Sequence, residues 1–249
     1  MRAILTYHSL DESGSPISVS PSAFRAHVRW LASGAVRVLP LEALVAADDG
    51  EDAVAITFDD GFENFATECS ALLAEHRLPA TVFVVPEHVG ETNDWGGRSA
   101  PGIPTLPLMS WPTLRRIARD GITLGAHTRR HRDLTRVRGA ALEDEVAGCV
   151  ERMAAETGER PSTFAYPYGG VDDTSAAVVR DVFALACTTD LRVLHHEDDR
   201  ALLPRLDMFY FREPGQLEAW GTAAFRGRLW LRAQARRVRR LVQGAGRAA

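Results

Sequence analysis

Val54-Ala55-Ile56-Thr57-Phe58-Asp59-Asp60-Gly61 is an apolar, β-branched-rich run that stops on two adjacent carboxylates and a glycine. A run of that length bounded by turn residues reads as a fully buried strand. Working outward, similar runs occur at Ala3–His8, Ala80–Val85, Ile122–Ala126, Thr163–Tyr166, Ala184–Thr188 and, less sharply, Arg205–Met208. Between them, Pro21–Ser33, Phe62–His76, Trp111–Asp120, Ala141–Thr157 and Thr174–Val182 carry helical periodicity. This alternation predicts β/α units around a parallel sheet, either a barrel or an open doubly wound sheet.

Punctuation supports the helices. Ser20-Pro21 and Ser110-Trp111-Pro112 read as N-caps with proline in the first turn, and Gly34, Gly121 and Gly158 stand where helices should stop. The Gly- and Pro-rich stretch from Gly90 to Pro107 is too long for a plain connection and reads as a functional loop.

The chain has 249 residues, 45% hydrophobic and 25% charged, which is the balance of a globular domain and not of a disordered or collagen-like chain. Cys69, Cys149 and Cys187 form no CxxC pair and no even set, so they predict buried apolar side chains and not disulfides or a cysteine metal site. No stretch approaches the ~20 apolar residues of a membrane-spanning helix. Met1–Pro16 lacks the apolar core of a signal peptide, which predicts a cytoplasmic protein, or an exported one if a leader has been removed.

In a parallel barrel the C-terminal strand ends lie on one face, where active sites are built. His8, Asp59-Asp60, His127 and Tyr166-Pro167-Tyr168-Gly169 all fall at predicted strand ends. Two adjacent carboxylates repel unless a cation or a shared proton compensates, although Asp59-Asp60-Gly61 also reads as a turn capping the next helix. His127 and His131 are spaced to bring two imidazoles to one metal if the residues between them begin a helical turn. With a strand-end aspartate they make a two-histidine, one-carboxylate set with open coordination positions.

Three segments resemble the polysaccharide deacetylases that share the NodB homology domain, also classed as carbohydrate esterase family 4. They are Thr57-Phe58-Asp59-Asp60-Gly61, His127-Thr128-Arg129-Arg130-His131 and Phe164-Ala165-Tyr166-Pro167-Tyr168-Gly169. They come in the family's order, and the likeness spans about Ala3 to Met208. It implies an α/β, TIM-like distorted (β/α)7 barrel over residues 1–213, with residues 214–249 left as a C-terminal basic helix and tail. The implied function is metal-dependent hydrolysis of N-acetyl groups on a GlcNAc-type sugar or polysaccharide by attack of metal-bound water. An O-acetyl esterase, a non-sugar amide hydrolase and a non-catalytic glycan-binding barrel are the alternatives.

Residue by residue, the resemblance implies Asp60, His127 and His131 as ligands of a divalent metal. Zinc suits them best, with cobalt, nickel, manganese or iron possible. Asp59 becomes the general base, and the backbone N–H of Tyr168 the oxyanion donor, since Pro167 has none. Two features depart from the pattern. Ala165 stands where many relatives carry an arginine that orients the base, and no late leucine-histidine motif is evident, His195-His196 fitting it poorly. Leu5-Thr6-Tyr7-His8 resembles the first strand of the poly-N-acetylglucosamine deacetylase branch, which makes His8 the general acid, of a residue type that titrates near neutral pH. Arg205 is the candidate for the missing guanidinium, an ordinary structural ion pair being the alternative. Trp95, Tyr166 and Tyr168 are the expected sugar-contacting side chains, with Trp111 a weaker one.

All basic residues are arginines, and eight of them follow Phe225 in a tail with no acid after Glu218. Leu231, Ala235, Val238, Leu241 and Val242 recur at helical spacing, predicting a basic amphipathic helix. It either rests on an anionic membrane surface or packs on the barrel with its arginines in water. No recognition motif accompanies the charge, so nucleic acid is not an expected partner.

Overall fold

The computed structural model describes residues 1–97 and 101–245, the last helix beyond Arg236 as backbone only except at Val238. Seven strands follow one another in chain order: β1 (Arg2–Tyr7), β2 (Ala53–Phe58), β3 (Ala80–Val84), β4 (Thr123–Ala126), β5 (Thr163–Ala165), β6 (Leu185–Cys187) and β7 (Leu206–Asp207). All pair in parallel, β1 to β6 in sequence order, and β7 returns to lie beside β1. A parallel bridge from Cys187 to Leu203, just before β7, joins the two ends of the path and closes the barrel. A short strand, Arg37–Val38, pairs with the first residues of β2, and Ser9–Leu10 pairs with Ser18–Val19 outside the barrel.

Helices α1 (Pro21–Ala32), α2 (Leu41–Ala46), α3 (Ser70–Glu75), α4 (Trp111–Arg119), α5 (Ala140–Thr157) and α6 (Asp173–Val182) connect the strands. The caps read from sequence are formed. Ser20 and Ser110 accept from the N–H groups of Ala23 and Thr113, and Gly158 ends α5 with φ +81. The stretch Phe62–His76 is less regular than its periodicity suggests, because a π-helical turn at Phe65–Cys69 precedes α3.

Alternation along each strand sorts side chains to two sides of the wall. Leu5, Tyr7, Val54, Ile56, Phe58, Val82, Val84 and Phe164 point out into the large core beneath the helices. Ile4, Ala55, Phe83, Ala165, Cys187 and Leu203 point in and form a second, smaller cluster. The interior is narrow, and a Cβ on Gly125 of β4 would lie 2.5 Å from the Phe83 ring. The three cysteines are buried and unpaired. Among the described residues, no helix is long and apolar enough to cross a membrane.

Helix α7 (Ala223–Ala245) is part of the same body at its start. Phe225 and Leu229 are buried in the main core, and the Phe225 ring stacks on Phe211.

Candidate active site

The inward parity of four strands carries straight into the barrel mouth. Continuing Ala55-x-Thr57 gives Asp59, Ile4-x-Thr6 gives His8, Gly125 gives His127, and Leu203-x-Arg205 places a guanidinium inside the wall. Arg205 is 1% exposed and grips Asp59 in a fork, Nη1 to Oδ1 at 2.6 Å and Nη2 to Oδ2 at 2.7 Å. Its Nε donates to the Thr188 carbonyl at 2.9 Å, and its plane lies over the Phe83 ring. Two parallel charge-assisted bonds fix a carboxylate in orientation as well as in charge. His8 approaches the same carboxylate from the open side, Nε2 lying 3.6 Å from Asp59 Oδ2.

Asp60 turns away from Asp59 because its backbone is left-handed, with φ +72, and Gly61 closes the turn by donating to the Asp59 carbonyl. Neither aspartate caps a helix. Asp60 Oδ1 lies 3.4 Å from His127 Nε2 and 3.1 Å from His131 Nε2. Even so, Oδ1 is a buried acceptor with no donor in hydrogen-bonding geometry. The three ligand atoms lie within 4.8 Å of one another. Three buried ligand atoms converging on one point, one of them an orphaned carboxylate oxygen, fit a divalent cation.

The histidines are oriented from behind. His127 Nδ1 donates to the Ala165 carbonyl at 2.7 Å, which turns Nε2 toward Asp60. His131 Nδ1 pairs with the Tyr168 hydroxyl at 3.0 Å. The intervening residues do not form the helical turn that the spacing suggests. Thr128 and His131 both have φ +58, so the segment is a strained loop. Of the five non-glycine residues with positive φ among the described residues, Asp60, Thr128, His131 and Tyr168 belong to this site. Strain of that kind persists only where the surroundings enforce it. Here the enforcement comes from α5, whose buried Glu145 accepts from Arg130 N–H at 2.8 Å and whose Glu145 carbonyl accepts from Arg129 N–H.

Charge is balanced locally. Burial pushes both aspartates up, but Arg205 beside Asp59, and the two imidazoles beside Asp60, outweigh it and hold both carboxyls below the usual range. Burial draws His131 toward its neutral, ligating form. Asp207, in register with Thr6, is the exception among the acids, since burial holds its carboxyl above the usual range against the pull of His8 and Arg236.

The expected sugar-contacting residues divide. Tyr168 is 62% exposed at the mouth, in a turn whose own hydrogen bonds come from Gly169 and Gly170, leaving Tyr168 N–H outside them. Trp95 stacks on His131 with ring centroids 4.1 Å apart, so one of its faces covers the imidazole. Beside this pair opens a cavity of about 790 Å³ walled by Trp95, His131, Tyr168, Arg132 and Val137. Tyr166 does not join them. It has the outward parity of Phe164, is 0% exposed and packs edge-on against that ring, so the expectation of substrate contact is corrected by strand alternation. Trp111 lies under Arg152 on the flank, and His195 lines a cavity with Met1 and Arg2 at the opposite barrel end.

Two contributors escaped the sequence reading, Glu145 and Asp207, and a third was read only as part of the long loop, Asn93. The last is buried and crosses the long loop, its side chain meeting Pro104 and Leu106, which places Trp95. Asp207 was readable, since it shares the parity of Arg205. Glu145 was not, because nothing in a helical glutamate signals a loop tethered from another strand.

The Bacillus subtilis (strain 168) protein YxkH, named provisionally as a polysaccharide deacetylase, is 25% identical over 193 residues, covering 75% of this chain and 64% of its own. Poly-β-1,6-N-acetyl-D-glucosamine N-deacetylase of Staphylococcus aureus (strain MRSA252) is 26% identical over 176 residues, covering 66% and 58%. The chain thus spans less than two thirds of the length of these curated relatives. The solved structure of IcaB from Ammonifex degensii superposes with a TM-score of 0.70 at 21% identity, covering 90% of this chain and 96% of that one, which speaks to the fold. The profile described as polysaccharide deacetylase matches residues 46–183, more than half of the chain, from the helix before β2 to the end of α6. This protein belongs to the polysaccharide deacetylase family.

Proposed function

We propose that the protein is a metal-dependent hydrolase that removes N-acetyl groups from a GlcNAc-type glycan. The observation that carries the reading is the division of labour between two adjacent aspartates. Asp60 faces two imidazole nitrogens, and Asp59 faces an arginine fork on one side and His8 on the other. The Staphylococcus aureus relative, named for N-deacetylation of poly-β-1,6-N-acetyl-D-glucosamine, supports the substrate class.

Asp60, His127 and His131 would hold the cation. Bound there, a divalent cation acidifies water and polarises an acetyl carbonyl. Arg205 holds Asp59 ionised and aimed, so Asp59 accepts the proton of the attacking water. Charge developing on the carbonyl oxygen is met by the Tyr168 N–H, which the surrounding turn does not use. His8, on the open side of Asp59, gives a proton to the departing amine. Zinc suits two nitrogens and one carboxylate, with cobalt, nickel, manganese and iron as competitors for the set.

Acetate release from N-acetylglucosamine oligomers, with metal-stripped protein re-supplied with zinc or cobalt, tests the reading. Wild-type protein should release acetate only with metal, and Asp59→Asn should lose at least ~100-fold while still taking up metal. Oligomer binding without release under every metal would replace the hydrolase with a glycan-binding barrel.

A further inference from the structure

Helix α7 inverts the usual arrangement of an amphipathic surface helix. Trp220, just before it, donates to Asp52 at the start of β2, and Arg236 reaches Asp207 Oδ2 at 3.5 Å near the mouth end of β7, so the helix runs up the barrel flank. Its lower half packs through Phe225 and Leu229. Above them the barrel-facing positions are arginines, with Arg232 and Arg236 laying their guanidinium groups over the Tyr210 ring at 4.9 and 5.7 Å. A planar cation can stack on an aromatic face and reach a carboxylate from there.

Leu231 and Val238 are left facing outward, and Trp230 stands at the edge of that face, beside a cavity it lines with Arg2 and Leu194. Trp230, Leu231 and Val238 are 61%, 63% and 61% exposed. Among the described residues only one other large apolar side chain, Tyr168 at the mouth, is so exposed. At 3.6 residues per turn, the three fall within an arc of about 100°. A helix simply resting on the barrel would present the opposite face to water.

What covers this stripe is indicated by charge. The chain has no acidic residue after Glu218 and eight arginines after Phe225, of which Arg226 is exposed. A second copy paired through the same face would set two arginine-rich, acid-free helices side by side. An anionic lipid surface meets both needs, with apolar side chains entering the acyl boundary and the exposed Arg226 meeting the headgroups. We propose that the outward face of α7, through Trp230, Leu231 and Val238, docks the protein on an anionic bilayer. Because α7 lies along the barrel flank, the mouth then opens beside the surface, toward material held close to it.

The test uses the full chain and a readout independent of any hydrolase activity: co-sedimentation with phosphatidylcholine vesicles, with and without phosphatidylglycerol. Wild-type protein should bind the phosphatidylglycerol vesicles at least about tenfold better, and raised salt should weaken the binding. Trp230→Ser/Leu231→Ser/Val238→Ser should abolish it while keeping the wild-type circular dichroism melt. As a second measurement, brominated lipid should quench wild-type tryptophan emission more than that of Trp230→Phe. Binding to neither vesicle, or equally to both, overturns the proposal. So does a wild-type dimer that the triple variant turns into a monomer by light scattering, which would assign the face to a second copy.

Discussion

Asp59 and Arg205 are both nearly inaccessible to water, so neither charge is tolerable alone. Arg205→Met should therefore cost about 3–5 kcal/mol in denaturant unfolding, and adding Asp59→Asn to it should restore part of that loss. Equal destabilisation by the single and the double variant would mean that the pair is not coupled. His27 gives a pH signature away from the site. Its Nδ1 meets the Tyr7 hydroxyl at 3.1 Å and its Nε2 the Phe211 carbonyl at 2.9 Å. Burial lowers its pKa below the ordinary histidine value. The unfolded chain takes up this proton at about pH 6.5, while the folded protein resists it. Stability from this group is therefore present above that pH and lost as pH falls from there toward the folded value. Melting curves should show a steeper loss below about pH 6.5 in wild-type protein than in His27→Gln; parallel curves would remove His27 from the account.

Among elements, the loop from His127 to His131 depends on α5 more than on its own sequence. Glu145 is 3% exposed and ties the loop through both side chain and backbone, with Asp144 holding Arg129 and Arg130 beside it. Glu145→Ala keeps every ligand but frees the left-handed Thr128 and His131 to relax. Zinc affinity by isothermal titration should fall by about 10- to 100-fold, and an unchanged affinity would show that the loop holds its shape unaided. Element type and order were legible from runs and caps. The shape of this loop was not, since the spacing of His127 and His131 is equally compatible with a helical turn and only packing on α5 excludes it.

For the whole molecule, α7 belongs to the barrel at its start. Phe225 sits against Phe211 and Trp220, with Trp30 beyond. Phe225→Ala should cost about 3–5 kcal/mol, seen as a lowered urea midpoint in a single transition, whereas a separate early transition would mean that the helix folds on its own. The sequence reading placed residues 214–249 as a helix and tail apart from the catalytic domain, with packing on the barrel as one option. In that option the arginines faced water, but the described Arg232 and Arg236 turn inward instead. The side chains of Arg237, Arg239, Arg240, Leu241 and Val242, and Arg247 altogether, lie outside what the structure describes.

By itself the sequence determined the alternation of strands and helices, the side of the sheet on which the chemistry gathers, and the residues Asp59, Asp60, His127 and His131. The first two follow from local periodicity, and the four residues from their types at strand ends together with the motifs they share with the family. Strand parity is local too, but only the closed barrel showed which parity faces inward, and so put Arg205 and Asp207 inside and Tyr166 outside. Tertiary structure alone decided that Arg205 grips Asp59 across 146 residues of chain, that Glu145 holds the loop from His127 to His131, and which way α7 turns Arg232 and Arg236. Those outcomes depend on distant segments meeting inside a barrel too narrow for alternatives, and no local pattern encodes such a meeting.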